Sequence, residues 1–142
     1  MKVSARNQFF GPISAIKTGP INAEVVIDIG NANRLVAIVT RDSAEYLRLS
    51  VGISVYAFVK APWIIITTEP KLKTSARNKL CGVIISCQEG ALNTEVVLEL
   101  AGGKNIIAII TNESARTMEL AVGQSACALI KSSHVILAVV AD

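Results

Sequence analysis

The sequence has few of the residues from which active sites and base-stacking surfaces are commonly built. Its 142 residues include one histidine and three cysteines, and aromatic side chains make up only 4% of the chain. It contains no P-loop, nucleophile elbow, HExxH segment or closely spaced pair of carboxylates. These absences argue against an enzyme.

Long apolar runs are also missing, although apolar residues make up 51% of the chain. The longest uninterrupted run, Val135 to Ala141, is far short of the roughly 20 residues that a membrane-spanning helix needs. Residues 1–7 show no apolar segment after their positive charge, so a secretory signal is not predicted. We therefore expect a cytoplasmic protein without a membrane partner, whose apolar surface is buried between folded units.

The cysteines show no pattern of a metal site or a disulfide framework. Cys81, Cys87 and Cys127 are odd in number, lie in the second half of the chain and lack CxxC or Cys/His spacing. We interpret them as small apolar side chains in a reducing compartment, and we expect no site for a bare metal cation. The net charge of +3 suits small anions and is too small by itself to indicate nucleic acid.

The sequence does contain an internal repeat. Residues 4–7, Ser-Ala-Arg-Asn, return unchanged as residues 75–78, an offset of 75 − 4 = 71 residues. The same offset pairs Gly11 with Gly82, residues 22–26 with 93–97, residues 40–44 with 111–115, and Lys60 with Lys131. We predict two domains, residues 1–69 and 75–142, joined by a linker at 70–74. Because domains of roughly seventy residues are marginally stable alone, we expect them to be near neighbours.

Both repeats predict the same order of elements. In the first repeat, β-branched and alternating segments predict strands at 11–16, 24–29, 35–40, 53–60 and 64–67. The third strand is apolar enough to be buried on both faces. A short helix follows it, with Asp42 or Ser43 as N-cap in one repeat and Glu113 or Ser114 in the other. The predicted fold is all-β, with two tandem OB-like β-barrel domains, each of about five strands and one short helix.

The polar residues that both repeats keep are hydroxyls and cations, which are the groups that hold an oxyanion. Such a ligand needs several converging N–H and O–H donors and enough positive charge to offset desolvation. Arginine offers forked donors and lysine a point charge. The first N–H groups of the short helix, predicted to be unpaired, would add an anion seat.

Each residue taken alone has a simpler explanation. Ser43 and Ser114 would be N-caps, the arginines surface ion-pair residues, the lysines solvated strand ends, and Glu24 and Glu95 cross-strand partners. Taken together, the polar residues kept in both repeats favour anion binding, because the fold alone would not require a second identical Ser-Ala-Arg-Asn. His134 takes the place of Trp63 and so lies outside any repeated site; we expect a structural or surface role for it.

The combined motifs resemble a known family. The Ser-Ala-Arg-Asn start, the Asn-x-Glu-Val-Val strand, the Thr-x-x-Ser-Ala turn and the Val-Gly…Ile/Val-Lys end are similar to the mop domain, or molbindin, repeated in tandem over nearly the whole chain. The resemblance implies OB-like barrels in a homotrimer that binds molybdate and tungstate without chemical change. It implies storage and homeostasis of these oxyanions, with molybdate as ligand and no organic cofactor.

The resemblance also implies where the anions are held. One class of site would lie between domains, where the Ser-Ala-Arg start meets the Thr-x-x-Ser-Ala turn and the lysine end of a neighbouring domain. Its residues would be Ser4, Ala5, Arg6, Thr40, Ser43, Ala44, Lys60 and Ala61 in the first repeat, and Ser75, Ala76, Arg77, Thr111, Ser114, Ala115, Lys131 and Ser132 in the second. Ala61-Pro62 departs from the serine that commonly follows the lysine, so one site loses a hydroxyl. A second class, on the threefold axis, would use Gly19, Pro20, Ile21 and Asn22 together with Gly90, Ala91, Leu92 and Asn93.

Two other functions remain as alternatives. The chain could be a ligand-responsive interaction module that signals to a partner, although no helix-turn-helix segment is visible for direct binding of DNA. An OB-like barrel could also bind single-stranded nucleic acid, which needs aromatic platforms and a basic groove. Because all the aromatic residues lie in the first repeat, we disfavour nucleic acid as a partner.

Overall fold

A computed structural model describes residues 1–141 and confirms the all-β class. The first repeat contains β1 (Asn7–Thr18), β2 (Asn22–Gly30), β3 (Asn33–Thr40), α1 (Arg41–Tyr46), β4 (Ser54–Val59) and β5 (Ile65–Thr67). The second contains β6 (Asn78–Glu89), β7 (Asn93–Leu100), β8 (Asn105–Thr111), α2 (Asn112–Thr117), β9 (Ser125–Ile130) and β10 (Ile136–Ala138). The predicted five strands and one helix per repeat are therefore confirmed. A 3-10 turn before the last strand, at Ala61–Trp63 and at Ser132–His134, was not predicted.

The two curled five-stranded sheets exchange their last strands. Their strand orders are β10-β4-β1-β2-β3 and β5-β9-β6-β7-β8. Strand β5 leaves its own repeat and pairs antiparallel with β9, with Ile65 opposite Leu129. Strand β10 pairs in the same way with β4, with Ile136 opposite Phe58. The units are thus near neighbours, as expected, and each sheet is completed by the other repeat. Below, a unit means one repeat of the sequence.

The core is built from the alternating apolar residues of the long strands. In β2, Val25 and Ile27 are fully buried, and their equivalents Val96 and Leu98 are buried in β7. Strand β3 corrects the prediction of burial on both faces: Leu35 is buried, but Val36 and Ile38 on the other face are only half-buried. Besides β2, strand β3 contacts the second 3-10 turn, β6, β10 and α1.

A repeated glycine lets β1 pass close to β2. A Cβ atom at Gly11 would collide with the carbonyl oxygen of Asp28, and one at Gly82 would collide with that of Glu99. Both contacts are with backbone atoms, which cannot rotate away as a side chain can. The sheet geometry therefore requires glycine at this position in both repeats.

Two cysteines correct the interpretation of all three as reduced apolar side chains. Cys81 and Cys127 lie directly opposite each other on β6 and β9 and form a disulfide, whereas Cys87 is free and half-buried. The equivalent residues of the first unit, Phe10 and Tyr56, are also opposite each other, with ring centroids 4.6 Å apart. Both positions change together from aromatic residues to cysteines between the repeats, which is a signal of contact that the sequence already carried.

The junction between the units also brings together the two rings that the repeat offset equates. Trp63 and His134 have ring centroids 5.0 Å apart. His134 is half-buried, and its Nδ1 atom has no hydrogen-bond partner among residues 1–141. This contact is consistent with the structural role expected for His134. No helix within residues 1–141 is long and apolar enough to cross a membrane.

Candidate functional site

A pair of hydroxyls stands at the start of each short helix. The N-cap is Thr40 in the first unit and Thr111 in the second, not the later residues that we predicted, because each strand runs straight into its helix without a loop. The Ser43 N–H donates to Thr40 Oγ1 at 3.0 Å, and the Thr40 hydroxyl donates to Ser43 Oγ at 2.8 Å. Thr111 and Ser114 repeat this arrangement. Ser43 and Ser114 are exposed, so their hydroxyls can also reach a ligand.

The backbone at the start of each helix has fewer free N–H groups than we expected. The Arg41 N–H donates to the Ile21 carbonyl at 2.8 Å, and the Ser43 N–H is used by the threonine cap. In the second unit, the Asn112 N–H approaches the Leu92 carbonyl at 3.4 Å. The prediction that the first N–H groups are unpaired is therefore wrong for two of them in each helix. Ala44 and Ala115, also predicted for the site, are the buried residues of the two helices.

Each hydroxyl pair faces the end segment of the other unit. Thr111 and Ser114 line a cavity of about 490 Å³ together with residues 62 and 64–66 of the first unit. Thr40 and Ser43 line one of about 450 Å³ together with residues 133 and 135–137 of the second unit. The segments that directly follow Lys60-Ala61 and Lys131-Ser132 are thus brought to the Thr-x-x-Ser-Ala turn of the neighbouring unit.

The lysines that precede these segments carry uncompensated charge. Lys60 and Lys131 are exposed residues at the start of the 3-10 turns, and neither forms an ion pair within residues 1–141. The next residues, Ala61 and Ser132, are buried. A cation at this position is available to an anionic ligand.

The arginines, in contrast, are already paired with the other unit. Arg77 donates through Nη1 and Nη2 to the two carboxylate oxygens of Glu24, at 3.0 and 2.7 Å. Arg6 lies 3.1 Å from Glu95 in the equivalent contact. These contacts correct the interpretation of the two glutamates as cross-strand partners. The hydrogen bonds from Arg77 lower the pKa of Glu24 below its usual value, and the same contact raises the pKa of Arg77.

The asparagines of the repeated tetrapeptide have a structural role that the sequence analysis missed. Asn78 accepts from the Val36 N–H at 2.7 Å and donates to the Val36 carbonyl at 2.8 Å, so its amide pairs with β3 as another strand would. Asn7 does the same with Ile107 of β8, at 2.8 Å in both directions. Both side chains are buried. The argument that a fold needs no second Ser-Ala-Arg-Asn is therefore wrong for Arg and Asn, which join the units.

The remaining residues of the predicted sites are placed as follows. Ser4 and Ser75 are exposed, and Ala5 and Ala76 are half-buried beside the paired arginines. The turns at 19–22 and 90–93 are each closed by a bond of 2.8 Å from the glycine N–H to the asparagine carbonyl. Ile21 and Leu92 at their tips are 74% and 82% exposed. The tips therefore present apolar surface rather than donors.

The arrangement of donors and charge suits binding by hydrogen bonds. Within residues 1–141, no cluster of three or more His, Cys, Asp or Glu side chains could hold a metal ion. The cavities between the units are lined by threonine and serine hydroxyls, and Lys60 and Lys131 lie just before the residues that line them from the other unit. Hydroxyls and ammonium groups bind an anion by donation and charge, without any covalent step.

Comparison with known proteins identifies the family. The family model described as the TOBE domain matches residues 3–66 and again 74–137. The chain belongs to the TOBE-domain family. A crystal structure of ModG, described as a cytoplasmic molybdate-binding protein with molybdate bound, is 46% identical with a TM-score of 0.94, over 98% of this chain and 99% of that one. This near full-length match confirms the resemblance to tandem mop-domain proteins.

Curated relatives extend the comparison. The molybdenum transport protein ModE of Azotobacter vinelandii is 45% identical over 139 residues, or 98% of this chain and 52% of that protein. The molybdenum-pterin-binding protein MopA of Rhodobacter capsulatus is 37% identical over 140 residues, or 97% of this chain and 52% of that protein. The chain thus spans about half the length of the curated relatives it matches.

Proposed function

We propose that the chain binds molybdate, and also tungstate, reversibly at the junctions between its units. It would store these oxyanions in the cytoplasm and buffer their concentration, without enzymatic chemistry and without an organic cofactor. The observation that carries this proposal is that each Thr-Ser hydroxyl pair faces the segment of the other unit that follows Lys60 or Lys131, and neither lysine has an ion pair in the described part of the chain. The likeness to ModG supports molybdate as the ligand.

The proposed binding chemistry follows from the donors present. Ser43 or Ser114 would donate its free O–H, and Lys131 or Lys60 would supply charge from the other unit. Arg77 uses two N–H groups on Glu24, so the other donors of its guanidinium remain for the anion beside Ser75 and Ala76. Arg6 would act in the same way beside Ser4 and Ala5. A tetrahedral dianion accepts from all these directions at once.

We also propose that the chain assembles as a homotrimer. Exposed apolar residues recur at equivalent positions of the two units: Ile21 and Leu92, Val51 and Val122, Ile65 and Ile136. Repeated exposed apolar residues of this kind are typical of surfaces that bind other protein chains. In the trimer, the turns at 19–22 and 90–93 would form the threefold-axis sites.

Calorimetric titration with molybdate, tungstate and sulfate, together with the mass of the protein in solution, tests this function. We expect binding of more than one molybdate per chain, resistant to sulfate, by a trimer. Lys131→Ala should weaken binding by roughly 10-fold or more, because it removes a charged donor. Lys73→Ala, which removes an exposed lysine of the linker, is the matched control and should bind normally. Absence of heat with all three anions would refute the proposal.

A second candidate is a ligand-sensing module within a larger regulator. The relative described as transcriptional regulator ModE of Yersinia pestis is 35% identical over 97% of this chain, which covers 53% of that protein. A sensing role requires that molybdate change the affinity for a partner. Pull-down of a defined regulator domain with and without molybdate tests this role, and equal recovery in both conditions would exclude it.

A further inference from the structure

The two candidate sites differ in the residues that follow the lysine. After Lys131 come Ser132 and Ser133, which carry two hydroxyls and two backbone N–H groups. After Lys60 come Ala61 and Pro62, which carry no hydroxyl, and the proline has no N–H. The 3-10 turns are otherwise alike, each with one hydrogen bond from its third residue back to the lysine carbonyl, at 3.0 Å for Trp63 and 2.9 Å for His134. Of the two serines, Ser133 lines the cavity between the units, whereas Ser132 is buried.

The two cavities between the units also differ in the residues that line them. The Ser133 cavity, defined by Thr40, Ser43, Tyr46 and Ser133 together with its apolar lining, contains four hydroxyl-bearing residues. The Pro62 cavity, defined by Thr111, Ser114, Asn93 and Pro62 together with its apolar lining, contains two hydroxyls and one amide. The residue equivalent to Tyr46 is Thr117, which does not line the Pro62 cavity. The Ser133 cavity is therefore lined by more hydroxyl-bearing residues than the Pro62 cavity.

We propose that the two oxyanion sites of one chain are unequal and that Ser133 and Tyr46 make the Ser133 cavity the tighter one. This inference rests on the proposed function, since it assigns different affinities to the two junctions where the anion binds. Hydrogen bonds to a charged group are stronger than those between neutral groups, and losing one costs roughly a tenfold change in affinity or more. The chain then fills one site at low anion concentration and keeps the other in reserve.

Calorimetric titration of the intact protein with molybdate tests the inequality. The two junction sites of the wild type should give separate steps, with dissociation constants that differ by roughly 10- to 100-fold, and the variants below distinguish these steps from binding at the threefold axis. Ser133→Ala and Tyr46→Phe should each weaken the tighter step and leave the weaker step unchanged. Pro62→Ser, which adds a hydroxyl and an N–H, should strengthen the weaker step. Ser50→Ala, at an exposed loop position outside both cavities, is the control and should change neither.

The outcomes separate this inference from the proposed function. One class of equal sites in the wild type, unchanged in Ser133→Ala and Pro62→Ser, would overturn the inequality and leave molybdate binding intact. Weakening of the weaker step by Ser133→Ala would overturn the assignment of residues to sites. Absence of any molybdate binding would overturn the proposed function and this inference with it. Circular dichroism and solution mass show whether each variant keeps the fold. If Pro62→Ser does not fold, Tyr46→Phe, which changes an exposed side chain, still tests the inequality.

Discussion

The two units share their strand order and their contacts with each other, but differ on the outer face of the sheets and at the end segments. Across the junction, Asn7 and Asn78 make equivalent hydrogen bonds, and Arg6 and Arg77 reach equivalent glutamates. On the outer face, an aromatic pair in one unit is a disulfide in the other. The arginine and asparagine contacts that join the units are the same in both copies, whereas the pair that links two neighbouring strands of one sheet differs.

Of the differences and similarities between the units, the disulfide is expected to contribute most to the free energy of unfolding. Reduction, or Cys81→Ser, should lower the free energy of unfolding by roughly 4 kcal/mol, because a link across 46 residues of sequence no longer restricts the unfolded chain. Denaturant unfolding with and without a reductant measures this change. Cys87→Ser removes only the free thiol and should leave the effect of the reductant intact. Alkylation of all three cysteines in the native, unreduced protein would contradict the pairing.

Replacing a bridging asparagine is expected to have a slightly smaller effect. Asn78→Ala should cost on the order of 3 kcal/mol, because it removes buried hydrogen bonds and leaves the Val36 N–H and carbonyl without these partners. Asn7→Ala should cost a similar amount, since its bonds to Ile107 are equivalent. Thermal unfolding measures both, with exposed Asn105→Ala as the control. A large loss in only one of the two variants would show that the junction is less symmetric than its contacts.

Breaking the Arg77–Glu24 pair is expected to change the stability least, and the change should depend on pH. The folded protein lowers the pKa of Glu24 from its usual 4.5, so the unfolded chain binds the proton more readily. The stabilisation is therefore present above about pH 4.5 and is lost as the pH falls through the lowered pKa. Glu24→Gln should be slightly less stable than the wild type at pH 7, because both side chains are partly exposed, and the difference should disappear in acid. Thermal melts across this range measure it, and a difference that grows as the pH falls would contradict the prediction.

The sequence predicted the repeat, the strands and the short helices because these follow from local hydrophobic patterns. It could not predict the strand exchange. The segments at 64–67 and 135–138 have nearly the same apolar pattern, and alternation determines which face of a strand is buried but not which sheet the strand joins. The partner of β5 depends on contacts across the junction that no local pattern describes.

For the candidate site too, the sequence predicted some features and missed others. The hydroxyls, the lysines and the missing serine at Ala61 were visible from the sequence. The roles of Arg77 and Asn78 were not, because a polar residue kept in both copies is equally compatible with a ligand and with a contact between units. Thr40 as the N-cap was missed because serine and aspartate are also good caps, and only the exact end of β3 decides between them.

The exchange of β5 and β10 makes the two halves of this chain inseparable in the folded state. Cleavage of the backbone at residues 70–74 would leave each fragment with four strands of one sheet and one strand of the other, so the fragments would remain interlocked. An isolated repeat would lack an edge strand and carry its own last strand unpaired, and two such copies would satisfy each other. The tandem chain is therefore the covalently joined form of a strand-swapped dimer, and the linker sets the proportion of the two repeats at one to one.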